Sequence, residues 1–266
     1  MPVIQIERIE DPRLDDYRNV SDAELLRSRR LFVGEGRLVV RRLLSSGHEV
    51  ASMLLNEPSL KSLSADCEAS FERIAVYVAP TATLAQIVGF NLHRGCLALA
   101  RRPAEAAAAE ITRDAALLLV LENVTDADNV GSAFRNAAAF GVGGVLLSAC
   151  CDPLYRKAVR TSVGHVLHVP FARVPDLVPE VAALKALGFT VLALTPRDDG
   201  TPLPAFAASR ARCGRIAMLV GNEQEGLSAD AERIADVRVR IPMHRGVDSL
   251  NLSMAIGIAL DRLTNL

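Results

Sequence analysis

The amino-acid sequence predicts an α/β protein, with a parallel sheet that has helices on both faces. From Ala115 onwards, apolar runs of strand length alternate with stretches of helical length. The runs are apolar at consecutive positions, which is usual for parallel strands that are buried on both faces. The predicted strands are Leu117–Leu121, Val145–Leu147, Val166–Val169, Thr190–Leu194, Ile216–Val220 and Val237–Ile241. The predicted helices between them are Val130–Phe140, Pro153–Val163, Val174–Leu187 and Ala229–Ala235.

A small mixed α/β domain is predicted in front of this sheet. Ser21 and Glu24 have the spacing of a helix capping box, so we expect a helix to begin there. Further elements are expected at Leu31–Val33 (strand), Arg37–Leu44 (helix), Ile74–Val78 (strand), Thr81–Val88 (helix) and Cys96–Ala100 (strand). We therefore predict a first domain at residues 1–103, an alanine-rich linker or connecting helix at 104–114, and a second domain at 115–266.

The composition is that of a globular intracellular protein. The 266 residues are 50% apolar and 23% charged, and the net charge of -1 gives no general attraction to nucleic acid. The five cysteines form no CxxC pair, which favours a reducing compartment. No signal-peptide core is present, nor an apolar run of the ~18 residues that span a bilayer, so we expect a cytoplasmic protein without membrane attachment.

A metal site is not expected. Cys150, Cys151, His165 and His168 match no common zinc spacing, and we interpret the two histidines as structural.

One local stretch of the first domain is strongly basic. Six arginines and only one acidic residue, Glu35, lie between Arg27 and Arg42. Arg37, Arg41 and Arg42 are candidates for contacts with a nucleic-acid phosphate backbone. The alternative is an ordinary solvated helix face.

Three polar clusters follow predicted strands, at the sheet edge where ligands of parallel α/β proteins bind. The first contains Glu122, Asn123, Asn129 and Arg135; Asp128 or Asn129 is expected to cap the helix, while nothing structural requires Arg135. The second, Gly221–Gly226, has two glycines around amides and carboxylates and could wrap a polar ligand or form a tight turn.

The third cluster, His244–Ser249, joins an apolar strand to an apolar helix that is predicted to reach Leu263. It suits a functional loop or an ordinary turn, in which Ser249 and Asn251 would only cap the helix. The sequence has no GxxxxGK[ST] or GxGxxG phosphate loop and no GxSxG elbow.

Taken together, three segments resemble the signature motifs of the SpoU/TrmH family of RNA ribose methyltransferases. They are NVGSAFR (Asn129–Arg135), LVGNEQEGL (Leu219–Leu227) and IPMHRGVDSLNLSMA (Ile241–Ala255). The resemblance extends from about Leu117 to Leu263. More weakly, LFVGEGRLVVRRLL and GCLALARRP are similar to the substrate-binding domain that many members carry in front.

The resemblance implies a C-terminal trefoil knot, a homodimer and S-adenosylmethionine as cofactor. Gly221, Ile241 and Leu250 would contact the cofactor through their backbone, whereas Asn129, Arg135, Glu223, Ser249 and Asn251 would line the reaction site. The implied reaction methylates a ribose 2'-hydroxyl of tRNA or rRNA, with Arg135 as general base or as a group that stabilises the developing alkoxide. The alternatives are a catalytically inactive RNA-binding protein of the same fold and a Rossmann-type enzyme that uses another nucleotide.

Overall fold

The computed structural model describes residues 3–18, 21–89, 92, 95–209, 214–244 and 247–264, with only the backbone described for residues 66–70. The chain divides into two compact units, each with its own sheet. The first contains Met1–Ala104 and Pro153–His168, and the second contains Glu105–Asp152 and Val169–Leu266.

These units differ in two places from the boundaries predicted from the sequence. The stretch 104–114, predicted to be a linker or a connecting helix, contains α5 (Ala108–Thr112) and belongs to the second unit from Glu105 onwards. Residues 153–168 belong to the first unit instead of the second.

The strands, in chain order, are β1 (Val3–Gln5), β2 (Leu31–Glu35), β3 (Val50–Leu55), β4 (Ala75–Val78), β5 (Cys96–Arg101), β6 (Leu117–Glu122), β7 (Gly144–Ser148), β8 (Phe171–Arg173), β9 (Phe189–Leu194), β10 (Thr201–Pro202), β11 (Arg215–Val220) and β12 (Val237–Arg240). The α-helices are α1 (Asp22–Glu24), α2 (Arg37–Ser45), α3 (Glu57–Phe71), α4 (Thr81–Val88), α5 (Ala108–Thr112), α6 (Ala127–Ala139), α7 (Arg156–Thr161), α8 (Leu177–Ala186), α9 (Leu203–Ser209), α10 (Ala229–Ile234) and α11 (Leu252–Thr264).

The first unit has a five-stranded mixed sheet in the order β1-β4-β3-β5-β2. β4 is parallel to β1 and β3, whereas β5 is antiparallel to β3 and β2. The mixed α/β prediction is confirmed, and Ser21 accepts from the backbone N–H of Glu24 as the capping box requires. β1, β3 and α3 were not predicted.

Residues 153–168 are held in the first unit by polar contacts. The buried carboxylate of Glu35, at the end of β2, lies 3.7 Å from Arg156 and 3.6 Å from Arg160. Asp22 accepts from the backbone N–H of Arg156 at 3.0 Å, and Arg42 donates to the carbonyl of Val163.

The predicted strand Val166–Val169 is wrong. His165–Leu167 forms a 3-10 helix after Gly164, whose φ of 81° is left-handed, and the strand begins only at Phe171. Val166 and Leu167 are buried, but they pair with no strand among the described residues. Their apolar pattern therefore reflects burial and not a strand.

The second unit has a seven-stranded sheet in the order β10-β12-β9-β11-β6-β7-β8, and its strand pairs are parallel. The predicted parallel sheet is confirmed. The chain runs outwards through β7 and β8 and later returns to place β11 beside β6. The reversal lies between β6 and β11, which is the topological switch point where such sheets bind ligands.

Helices cover both faces of this sheet, which explains the continuous apolar strands. On one face, α5, α8 and α10 contribute Ile111, Val181 and Ala231 to a core with alternate strand residues such as Leu118 and Val120. Burying a valine, leucine or isoleucine side chain contributes about 1.5–3 kcal/mol. The other face is covered by α6, α9 and α11: α11 packs on α6 and α9, and Phe134 of α6 meets Phe171 edge to face at 5.6 Å.

Candidate functional site

A pocket of about 320 Å³ lies at the carboxyl ends of β9, β11 and β12, next to the switch point. Its size falls within the range of small-molecule sites. The residues that line it are Leu194–Arg197, Val220–Leu227, Glu232, Ile241, Met243, Ser249, Leu250, Leu252 and Ala255. The pocket therefore brings together the second and third predicted clusters.

One wall of the pocket is a loop that closes on itself after β11. Asn222 and Gly226 exchange two backbone hydrogen bonds, of 3.1 and 2.9 Å, and Gly226 has a left-handed φ of 73°. A side chain at Gly221 would overlap the backbone of Gly226 and Leu227. Only glycine fits at this position, so the closed loop explains both glycines of the motif.

The end of β6 holds this loop at two points. The Glu122 carboxylate accepts from the backbone N–H of Ser228 at 2.8 Å and from its hydroxyl at 2.7 Å. The carbonyl of Asn123 accepts from the side-chain amide of Asn222 at 2.9 Å. Asn123 has a left-handed φ of 55°, which an asparagine adopts more readily than most residues. The pocket wall is thus braced on both sides of the turn.

Glu223 joins the loop to the start of α11. Its Oε1 accepts from the amide of Asn251 at 2.9 Å and from the backbone N–H of Leu252 at 3.3 Å. Asn251 Oδ1 in turn accepts from the backbone N–H of Ser253 at 3.0 Å, which is the helix-capping contact. Glu223 and Asn251 are therefore direct partners, and a carboxylate at a helix N-terminus is stabilised by the helix dipole.

The third motif contributes both backbone and apolar surface to the pocket. Ile241, Ser249 and Leu250 of this motif are among the lining residues. Leu250 and its neighbours Val247 and Met254 are exposed, with 60% of Met254 accessible. Arg245 and Gly246 of the same motif lie outside the described residues.

Arg135 and Asn129 lie on α6 and are not among the residues that line the pocket. The helix is capped by Asp126, which accepts from the backbone N–H of Asp128 at 2.6 Å, so the expectation that Asp128 or Asn129 caps it is wrong. Arg135 is exposed and has no hydrogen bond or ion pair with any described residue. Its guanidinium is thus available to an external anion.

Two residues that the sequence did not single out have structural roles at the site. The sequence pattern marks Glu122 only as a member of the first polar cluster, and it does not mark Asn136. Asn136 donates to Ser253 at the start of α11. Each makes hydrogen bonds to a residue more than 100 positions away, and no local pattern marks such a pair.

The predicted substrate-binding arginines of α2 are half-buried and bonded within the first unit. Arg37 donates to Ser59 at 3.2 Å and Arg41 donates to Ser62 at 3.1 Å, both on α3. Arg42 donates to the carbonyl of Val163. A guanidinium has five N–H donors, and these contacts use only some of them.

The cysteines near the site are protonated at neutral pH. Burial raises the pKa of Cys150 to about 11 and that of Cys151 to about 12. Thiols in this state are poor nucleophiles and poor metal ligands. Within the described part of the chain, no group of three or more His, Cys, Asp or Glu side chains could hold a metal ion.

Comparison with known proteins gives a match between residues 116–261 and the model of the SpoU rRNA Methylase family. The chain belongs to this family. The match covers the sheet of the second unit and the three polar clusters, so the resemblance stated from the motifs is confirmed.

Relatives extend the similarity over nearly the whole chain. An uncharacterized tRNA/rRNA methyltransferase of Mycobacterium bovis is 43% identical over 94% of this chain and 88% of its own length. A 23S rRNA (guanosine-2'-O-)-methyltransferase of Acinetobacter baylyi, RlmB, is 32% identical over 70% of this chain and 77% of its own. The crystal structure of an AdoMet-bound rRNA methyltransferase of Sinorhizobium meliloti, 24% identical, has the same fold, with a TM-score of 0.81 over 98% of this chain and 97% of the other.

In the part of the chain that the structure describes, no helix is both long enough and apolar enough to cross a bilayer.

Proposed function

We propose that this protein transfers a methyl group from S-adenosylmethionine to a ribose 2'-hydroxyl of RNA. The observation that carries the proposal is the pocket, where Gly221, Ile241 and Leu250, the three predicted cofactor contacts, lie together at the switch point. The names of the family and of the two relatives, which describe RNA methyltransferases, support the same activity.

The residues of the pocket fit S-adenosylmethionine. The closed loop at Gly221 presents backbone instead of a side chain, and the apolar surface of Ile241 and Leu250 suits an adenosine. Glu223 provides negative charge for a cationic ligand, whereas the charge of Glu232 is already balanced by Arg197 at 3.2 Å. When bound there, the cofactor would supply an activated methyl group. The residues that would hold it are Gly221, Ile241 and Leu250.

Arg135 is proposed to act on the RNA side of the reaction. A protonated guanidinium, with a pKa above ~12, has no acceptor atom and is a poor general base. It can stabilise the negative charge that develops on the 2'-oxygen, or orient the neighbouring phosphate. The exposure of Arg135 and its lack of a described partner support this role. Asn129, Ser249 and Asn251 are proposed to position the nucleotide, with Glu223 holding Asn251.

The substrate is proposed to be a structured RNA, either tRNA or rRNA, bound with help from Arg37, Arg41 and Arg42. These arginines lie on one helix of the first unit, and guanidinium groups bind phosphate oxygens through charge-assisted hydrogen bonds. We also propose, from family membership, a trefoil knot in the C-terminal chain, a homodimer formed through the second unit, and a cytoplasmic location. The exposed apolar side chains of Val247, Leu250 and Met254 support the homodimer.

The proposal is tested with purified protein, methyl-labelled S-adenosylmethionine, and tRNA or rRNA from cells that lack the gene. We expect label in the RNA that survives alkaline hydrolysis as a dinucleotide, because a 2'-O-methyl group blocks attack of that oxygen on the neighbouring phosphate. Arg135→Ala should lower the rate of labelling about 100- to 1000-fold while cofactor binding remains. Label in the bases instead of the ribose, or no transfer to any RNA, would contradict the proposal.

The inactive RNA-binding alternative makes a different prediction in the same assay. It expects RNA to bind without transfer of label, and no stabilisation of the protein by S-adenosylmethionine in thermal unfolding. A Rossmann-type enzyme would instead be stabilised by NAD or ATP. The closed Gly221 loop and the exposed Arg135 both favour the active methyltransferase.

A further inference from the structure

A single amide joins the helix of Arg135 to the helix that follows the pocket loop. Asn136 Nδ2 donates to the backbone carbonyl of Ser253 at 2.8 Å and to its hydroxyl at 3.2 Å. Asn136 is on α6, directly after Arg135, and Ser253 is in the first turn of α11. The contact therefore links the first and third motifs, which are far apart in the sequence.

Hydrogen bonds continue from Ser253 to the wall of the pocket. The backbone N–H of Ser253 donates to Asn251, and the Asn251 amide donates to Glu223. Glu223 lines the pocket. An unbroken chain of hydrogen bonds thus runs from the pocket loop to the residue next to Arg135.

Arg135 depends on its helix for its position, because its own side chain bonds to none of the described residues. The buried apolar residues of α6, such as Val130 and Phe134, hold it on the unit but impose little direction. A hydrogen bond is directional and sets the rotation and axial position of the helix. A Cβ added to Gly257 would lie 3.5 Å from Asn136 Oδ1, an ordinary van der Waals distance, so this amide packs directly beside α11.

We propose that Asn136 is a positioning residue for methyl transfer, which fixes Arg135 relative to the cofactor pocket through Ser253. This inference rests on the proposed methyltransferase function. Asn136 itself contacts neither RNA nor cofactor in this scheme. Because an error of about 1 Å in the position of a reacting group can cost 100-fold in rate, loss of the contact should slow transfer without weakening cofactor binding.

The test compares Asn136→Ala and Asn136→Asp with the wild type in single-turnover methyl transfer to RNA. Asn136→Asp keeps the shape of the side chain but replaces the donor with an acceptor that repels the Ser253 carbonyl. We expect the transfer rate to fall about 10- to 100-fold in both, with Kd for S-adenosylmethionine within about threefold of wild type. Ser253→Ala, which keeps the carbonyl contact, should lose less than about threefold.

The matched control is Thr264→Val at the other end of α11. Its hydroxyl donates to the carbonyl of Leu260 at 2.8 Å, so the variant also removes one side-chain hydrogen bond from this helix. We expect its transfer rate to be unchanged. Thermal unfolding of every variant shows whether a loss of rate is a loss of folded protein, and rates are compared at a temperature where all are folded.

A double-mutant cycle identifies the group through which Asn136 acts. In an Arg135→Ala background, Asn136→Ala should change the residual rate by less than about threefold, because there is no guanidinium left to misplace. An equal loss in both backgrounds, a loss of cofactor affinity alone, or no effect at all would overturn the inference. An inactive wild type would instead reject the proposed function itself, so the two failures are distinguishable.

Discussion

The pocket loop 221–228 and helix α6 carry two parts of the proposed chemistry, and they are held in opposite ways. The loop is bonded at several points: Asn222 to Gly226 within it, and Glu122 and Asn123 from outside. On α6, Arg135 is exposed and has no bond to any described residue. The pocket loop is held in place before any ligand binds, whereas α6 presents the guanidinium of Arg135, with which no described residue pairs.

This difference corresponds to the partners that the two parts are proposed to bind. A preformed loop suits a small cofactor that must be held in one conformation. Because the loop is already ordered, little of its conformational entropy is lost on binding. An RNA phosphate or a developing alkoxide needs an unpaired charge, which a guanidinium already in an ion pair could not offer. Changes in the loop should therefore affect cofactor binding, and changes at Arg135 should affect the reaction.

The largest expected effect on cofactor binding is that of Gly221→Ala. The added methyl group overlaps the backbone of Gly226 and Leu227, so the loop cannot close without moving. Overpacking of this kind costs about 1–3 kcal/mol, and we expect the Kd for S-adenosylmethionine to rise about 100-fold in calorimetry. Gly214→Ala is the control, since a Cβ there meets no atom of the described residues within 4 Å. Equal cofactor affinity in both variants would show that the loop is not the cofactor wall.

At Arg135 the effect should be on rate instead of affinity. Arg135→Ala removes the charge, and we expect kcat for RNA methylation to fall about 100- to 1000-fold while cofactor affinity is unchanged. Arg135→Lys keeps a point charge but loses the planar fork. If the lysine variant turns over at a nearly normal rate, any role that depends on the fork, including two-point binding of a phosphate, is excluded.

Much of the fold could be predicted because the strands of the second unit are buried on both faces. The strands at Leu117, Thr190 and Val237 were each located to within about one residue by their apolar runs. The same rule failed at Val166–Val169, where apolar residues are buried by packing in the first unit. It also missed β3, because only the second half of this strand, Met53–Leu55, is a buried apolar run.

For the site, the sequence predicted the loops but not the contacts that hold them. Gly221, Ile241 and Leu250 were recognised from motifs and lie in one pocket. The bonds from Glu122 to Ser228 and from Asn136 to Ser253 link residues that are 106 and 117 positions apart. Such pairs depend on which strands and helices become neighbours, and a single sequence does not contain that information.

Glu122→Gln tests whether the pocket loop acts only on cofactor binding. It weakens the hydrogen bonds that hold the loop at Ser228 without changing a residue that lines the pocket. The amide keeps one acceptor for Ser228 but loses the charge, and hydrogen bonds to charged groups contribute about 1.5–3 kcal/mol. We expect the Kd for S-adenosylmethionine to rise about 10-fold with little change in kcat at saturation. Asp230→Asn, on the exposed surface of α10, is the control and should change the Kd less than twofold. A fall in kcat at an unchanged Kd would place Glu122 in the reaction instead of in the loop.

The smallest effects are expected at Arg37 and Arg41. Their side chains are less tightly bonded than the pocket loop but, unlike Arg135, they do have partners among the described residues. Each is half-buried and bonded to a serine of α3, so we expect each to contribute at most one phosphate contact. We expect Arg37→Gln and Arg41→Gln each to lower RNA affinity about two- to fivefold at 0.1 M salt and to reduce the salt slope by about one. Arg18→Gln, whose guanidinium already bonds to Asp15 and two backbone carbonyls, should leave the slope unchanged. If all three variants share the wild-type slope, Arg37 and Arg41 serve only to join α2 to α3. Arginines bonded within the protein would then make no contact with RNA phosphates, in contrast to the role proposed for Arg135, which bonds to no described residue.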